Sequence, residues 1–137
     1  MIRFLEYNDL HNGFLVCLGE LYEVDWLACG KVFAEKSMTK NTYILVYVEN
    51  FKILGTASLI LDRKFGHNGR YSAIIEDVAV RKESQGKGVG EALVRVLIKS
   101  AQDLGAYKVI LNSSDHNLHF YEKLGFKKHE NAMRLDL

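Results

Sequence analysis

Ile74-Ile75-Glu76-Asp77-Val78-Ala79-Val80-Arg81-Lys82-Glu83-Ser84-Gln85-Gly86-Lys87-Gly88-Val89-Gly90 is the stretch that takes the chain from extended to helical structure. From Ile74 to Val80 it is β-branched or apolar except for two carboxylates, with neither Pro nor Gly, which is a strand pattern. Beyond it, Val89, Ala92, Leu93, Val96, Leu97, Ala101 and Leu104 recur at helical spacing, predicting an amphipathic helix over about 88–104. Gly86, Gly88 and Gly90 therefore stand at a helix N-terminus, where unpaired N–H groups and the dipole attract an anion. Without side chains, these positions let a phosphate approach the backbone closely. Lys87 adds a mobile charge, and Arg81, Lys82 and Lys87 form the densest local excess of positive charge in the chain.

The spacing excludes two common phosphate loops. A dinucleotide fingerprint needs its third glycine one residue later, and a Walker loop needs Ser or Thr where Gly88 follows Lys87.

Outward from the loop, Asn8 or Asp9 is positioned to cap a first helix over roughly 9–22, with Leu10, Phe14, Leu18, Leu21 and Tyr22 on its apolar side. Trp26 to about Ser37 reads as a second helix. Thr42–Glu49 and Ile53–Leu61 read as strands joined by Asn50-Phe51-Lys52. Arg63–Arg70 is a loop before a strand at 72–80. Gly105 fits the end of the long helix. A short buried strand over Lys108–Ser113, a helix over Asn117–Leu124 stopped by Gly125, and a last strand within Phe126–Leu135 complete the order. The pattern predicts one α/β domain over 1–137, a mixed, mostly antiparallel sheet flanked by helices.

The bulk numbers narrow the class. A chain of 137 residues suits a single core, and a formal charge of +1 without a basic stripe argues against nucleic-acid binding. No apolar run approaches 18 residues, and the N-terminus lacks a signal-peptide core, so no membrane partner and a cytoplasmic location are expected. Cys17 and Cys29 lack CxxC spacing and His partners, so no metal site is expected and free thiols are.

Two constellations carry chemistry. Glu76 and Asp77, adjacent on a strand, face opposite sides of a sheet. Either they reach solvent at a bulge or strand end, or a splayed strand directs them at a cationic substrate. Asn117 and Tyr121, four residues apart on a helix, share one face. That face suits an amide-rich ligand and a sulfur leaving group, or, for Phe120 and Tyr121 before Gly125-Phe126, simple core packing. No Ser-His-Asp or Cys-His arrangement is evident, which favours direct attack by a substrate amine over an acyl-enzyme.

The pattern of Gln85, Gly88 and Gly90 resembles the pyrophosphate loop of the GCN5-related N-acetyltransferases, which hold acetyl-coenzyme A (acetyl-CoA). Lys64-Phe65-Gly66-His67, the Ile75-Glu76-Asp77-Val78 strand, and Phe120-Tyr121-Glu122-Lys123-Leu124-Gly125-Phe126 resemble the glucosamine-6-phosphate N-acetyltransferase branch. The resemblance implies acetyl transfer to an amino-sugar phosphate, in the supply of UDP-N-acetylglucosamine. It implies that Val78, Ala79 and Val80 hold pantetheine, and that Gln85, Gly86, Lys87, Gly88, Val89 and Gly90 hold the pyrophosphate. Asn117, Tyr121 and Lys123 then contact acetyl-CoA, with Glu76 and Tyr121 as catalytic groups. Glu76, Asp77, Lys108 and Arg134 are implied to bind the sugar phosphate, in a homodimer whose subunits complete each other's sites. Asn112 and Ser113 replace an acidic residue and a Cys usual in that branch, and Leu18–Asp25 lacks its Thr-x-Val-Gly segment. A peptide or polyamine acceptor, and a coenzyme A-binding module without catalysis, are the competing readings.

Overall fold

The computed structural model describes all residues from 1 to 137. Its elements are β1 (Ile2–Phe4), α1 (Phe14–Leu18), α2 (Trp26–Ser37), β2 (Thr42–Glu49), β3 (Lys52–Arg63), β4 (Tyr71–Val80), α3 (Val89–Asp103), β5 (Lys108–Ile110) and α4 (Leu118–Glu122). The strands form one sheet in sequential order, antiparallel from β1 to β4 and parallel between β4 and β5. A parallel pair needs a crossover, and α3 supplies it. This is the mixed α/β architecture expected from the sequence.

α3 packs on one face of the sheet. Val89, Leu93, Val94, Leu97 and Ala101 are buried in one cluster with Leu45, Ala57, Leu59, Leu61, Ala73 and Ile75 of the strands. The buried stripe includes Val94, whereas Val96 and Leu104, expected inside, are exposed at 37% and 42%. On the other face, Leu10, Phe14, Leu15 and Cys17 pack with Val46, Ile53 and Ala79 in a second cluster. β3 contributes Ala57, Leu59 and Leu61 to the first cluster and Ile53 to the second, so it is packed from both sides.

Five expectations differ from the structure. The first helix is only α1, because Gly13 has φ of 113° and breaks the run. Asp9 is not its cap; it is buried, and both its carboxylate oxygens accept from the Arg3 guanidinium at 2.6 and 2.8 Å. The loop between β2 and β3 is shorter than expected: Glu49 pairs with Lys52 across Asn50 and Phe51, both at positive φ. β5 ends at Ile110, with Lys108 and Ile110 exposed rather than buried. Beyond Phe126 the chain forms no strand, and Met133, Leu135 and Leu137 are almost wholly exposed.

Candidate active site

The phosphate loop has the geometry its sequence demands. Gly86 and Gly88 adopt φ of 73° and 83°, in the left-handed region that glycine enters without a Cβ penalty. Gly88 is the N-cap of α3, and its carbonyl accepts from Ala92 N–H at 2.9 Å. The backbone amides from Gly86 to Glu91 donate to no carbonyl or side chain. They form a run of free donors at the positive end of a 15-residue helix. Around Gly86 and Gly88 the space a Cβ would occupy is open. A pyrophosphate fits this arrangement, because it brings acceptor oxygens to amides that have none.

The Gln85 side chain points back into the protein, its Nε2 donating to Val80 O at 3.0 Å. It braces the loop against the end of β4. Arg81 does not join the positive cluster expected around the loop. Its side chain is turned inward, Nε donating to Ile53 O at 2.6 Å, with the guanidinium over Gly13. Lys87 remains exposed at the loop.

β4 changes character at the two carboxylates. Ser58 pairs with Glu76 but Thr56 pairs with Ala79, so β4 carries an extra residue there, a bulge, and Asp77 takes φ of 52°. On its other edge β4 pairs with β5 only as far as Ile74 opposite Ile110. Beyond Ile74 the two strands part, and Val78, Ala79 and Val80 present an edge toward the gap. The bulge expected at Glu76 and Asp77 is present, with Glu76 exposed and Asp77 half-buried. Neither carboxylate is in an ion pair, so their charges stand uncompensated.

α4 brings Tyr121 to the same end of the sheet. The space beside Gly90 is bounded by Val80 at 3.4 Å and the Phe120 ring at 3.5 Å, so β4, α3 and α4 converge there. Tyr121 meets Phe120 and Phe126 edge-on at centroid distances of 4.9 and 5.9 Å. Burial among these rings pushes its phenol above the usual tyrosine range. Asn117 caps α4 with its side chain exposed, and Lys123 lies exposed at the other end.

Lys108 and Arg134 are placed elsewhere in the single chain. Lys108 pairs with Ser72, four residues from Glu76 along β4, roughly 13 Å at strand spacing. Its Nζ sits over the Tyr107 ring, which stacks on His67. Arg134 lies on the exposed C-terminal segment and pairs with Asp136 at 2.6 Å.

One residue at the site escaped the sequence reading. The helical period places Tyr22 on the apolar side of a helix. Instead its phenol donates to Asp77 Oδ1 at 2.6 Å. That hydrogen bond, then burial and the nearby carboxylate charges, push the phenol up to about 12. The available signal was Gly19 followed by Glu20, Glu23 and Asp25, a polar run that interrupts the apolar period.

The acetyltransferase (GNAT) family profile matches residues 7–126, nearly the whole chain. The chain belongs to this family. Within it, a glucosamine 6-phosphate N-acetyltransferase from Trypanosoma brucei brucei is 40% identical over 99% of this chain and 95% of its own length. A crystal structure of an acetyltransferase from Trypanosoma brucei superposes with a TM-score of 0.91 at 37% identity, covering 100% of this chain and 99% of its own. That of glucosamine-6-phosphate N-acetyltransferase from Arabidopsis thaliana gives 0.91 at 34% identity, covering 99% and 97%. This GNAT chain thus falls in the glucosamine-6-phosphate N-acetyltransferase branch. No helix in it is long and apolar enough to cross a membrane.

Proposed function

We propose that this chain transfers the acetyl group of acetyl-CoA to the 2-amino group of glucosamine 6-phosphate. The observation that carries the reading is likeness along the whole chain, 40% identity over 99% of it, to an enzyme of that name. The site supports it locally, with free amides for a pyrophosphate and two unneutralised carboxylates for an amine.

In this reading acetyl-CoA supplies an activated acyl group as a thioester. The Gly86–Glu91 amides and Lys87 hold its pyrophosphate. The edge of Val78, Ala79 and Val80 holds the pantetheine, with Asn117 and Lys123 at the α4 side. Glu76 and Asp77 draw the acceptor as its ammonium ion. Glu76 takes the proton from nitrogen, directly or through water, and the free amine attacks the carbonyl carbon. A C–N bond forms as the C–S bond breaks, the electron pair leaves on sulfur, and the second proton that nitrogen sheds in becoming the amide passes through solvent to the departing thiolate.

Tyr121 meets that sulfur as a hydrogen-bond donor. A thiol near ~8.5 is a stronger acid than a phenol near ~10, so full transfer from an ordinary tyrosine is already uphill by roughly 2 kcal/mol. Burial raises the Tyr121 phenol further and widens that gap. The phenol therefore stabilises the developing thiolate while keeping its proton.

Lys108 and Arg134 serve the sugar phosphate, in a homodimer. Support for the dimer comes from Met133, Leu135 and Leu137. They alternate with Arg134 and Asp136 as in a strand, yet stand 96%, 85% and 118% exposed in the single chain. A second copy covers that apolar edge, and Arg134 on its opposite face is carried to a sugar site. The protein acts in the cytoplasm. Nuclear magnetic resonance of a reaction containing acetyl-CoA and glucosamine 6-phosphate tests the proposal: a new N-acetyl signal on the sugar supports it, and an unchanged sugar spectrum rejects it.

A further inference from the structure

The segment 19–25 between α1 and α2 is tied down on both sides of the Val78–Val80 edge. Glu20 Oε1 accepts from Lys82 N–H at 3.3 Å, and Tyr22 donates to Asp77 at 2.6 Å. Tyr22 N–H in turn donates to Leu18 O at 3.0 Å, so the phenol is hung from the end of α1. The strap thus reaches the bulge through one side-chain contact.

What that contact does follows from the donor's chemistry. An Arg or Lys beside Asp77 would fix the carboxylate but cancel its charge. A neutral phenol fixes it and leaves the charge intact. Only Oδ1 is engaged, so Oδ2 keeps its lone pairs. Asp77 is in the left-handed region, an uncommon backbone for a residue with a side chain, and the phenol adds a fixed contact to its carboxylate there. Tyr22 is itself 54% exposed, which places this contact at the open mouth of the site rather than in the core.

We propose that Tyr22 is a positioning residue for the acceptor: it holds Asp77 Oδ1 without neutralising it and leaves Oδ2 to receive an ammonium or hydroxyl hydrogen of the acceptor. The inference rests on the acetyl-transfer reading but not on which amine is used. Its effect falls on acceptor binding and leaves acetyl-CoA binding alone, since Tyr22 donates to the Asp77 carboxylate and touches no amide of Gly86–Glu91.

The test is steady-state thiol release by wild type, Tyr22→Phe, Asp77→Asn and the double variant. The acceptor is whichever of glucosamine 6-phosphate, glucosamine, spermidine and a lysine peptide the wild type acetylates best. Tyr22→Phe is expected to raise the acceptor KM about tenfold, the scale of one charge-assisted hydrogen bond. The acetyl-CoA KM and the melting temperature stay within error. In the Asp77→Asn background the same change has little further effect, because the phenol acts through that carboxylate. An unchanged acceptor KM, an equal rise in both KM values, or full additivity in the double variant would overturn the proposal. A best acceptor other than glucosamine 6-phosphate would overturn the functional reading while leaving this one standing, and no turnover with any amine would overturn both.

Discussion

A Cβ placed on Gly55 would stand 2.8 Å from Cγ1 of Val89, closer than carbon atoms approach without one of them moving. It would also meet Ala79 O at 3.1 Å and Leu93 Cδ1 at 3.2 Å. Val89 is the first residue of α3 and follows the phosphate loop directly. The missing side chain on β3 is thus what lets the helix N-terminus, with its free amides, sit down on the sheet. Gly55→Ala is expected to cost about 1–3 kcal/mol in chemical denaturation through overpacking. It should also weaken coenzyme A binding in calorimetry, because the helix end shifts outward. Unaltered stability and affinity would show that the helix is seated some other way.

Arg81 and Lys87 lie close in sequence but do different work. Arg81 is turned into the protein and donates to Ile53 O. Arg81→Ala leaves that carbonyl short of a partner and opens a void beside Gly13, at an expected cost of about 1–3 kcal/mol. Lys87 is exposed at the loop, and Lys87→Ala should raise the acetyl-CoA KM about two- to fivefold with stability unchanged. Paired thermal melts and kinetics on the two variants would separate these roles.

The buried pair of Asp9 and Arg3 ties the N-terminal strand to the turn that precedes α1. The Arg3 hydrogen bonds, with help from Glu6 N–H and against the effect of burial, hold the Asp9 carboxyl below its ordinary range. A lowered carboxylate contributes stability above its unfolded value, ~3.9, and loses it as pH falls toward the folded one. Stability should therefore drop as pH falls from about 5 toward 3, and Asp9→Asn should flatten that part of the profile while lowering stability at pH 7. Melting temperatures measured at intervals across the range check this.

The fold was legible where the pattern was long. The strands at 42–49 and 72–80 follow from runs rich in β-branched, aromatic and apolar residues, and the helix after the glycines follows from its period, which buries a continuous stripe. Short elements were not legible. Gly13 follows Asn12, an Asn-Gly turn signal in a mostly polar stretch, and the helical spacing of Leu10, Phe14 and Leu18 runs straight across it. The C-terminal segment has the alternation of a strand but pairs with no strand of the sheet, so period without a partner did not make structure. At the site, Glu76, Asp77 and the loop announce themselves as charges and glycines in unusual places. The Tyr22 contact spans 55 residues of sequence, and pairing at that range leaves no local trace.

Tyr121 has no acidic or basic partner, and its raised phenol keeps it protonated across the working range. Tyr121→Phe is expected to lower kcat by more than about tenfold, roughly 1.4 kcal/mol of transition-state stabilisation, with the acetyl-CoA KM little changed. Since the phenol acts by hydrogen bonding, activity should show no loss as pH rises from 7 to 9 in the wild type. A rate for Tyr121→Phe within twofold of wild type would remove the phenol from the mechanism.

The acceptor is identified by kcat/KM for thiol release from acetyl-CoA across an amine panel. Glucosamine 6-phosphate should exceed unphosphorylated glucosamine, spermidine and lysine peptides by at least about a hundredfold, the discrimination expected when a phosphate and an amine are both recognised. Equal rates with glucosamine and its 6-phosphate, or a preference for spermidine or peptide, would contradict glucosamine 6-phosphate as the acceptor.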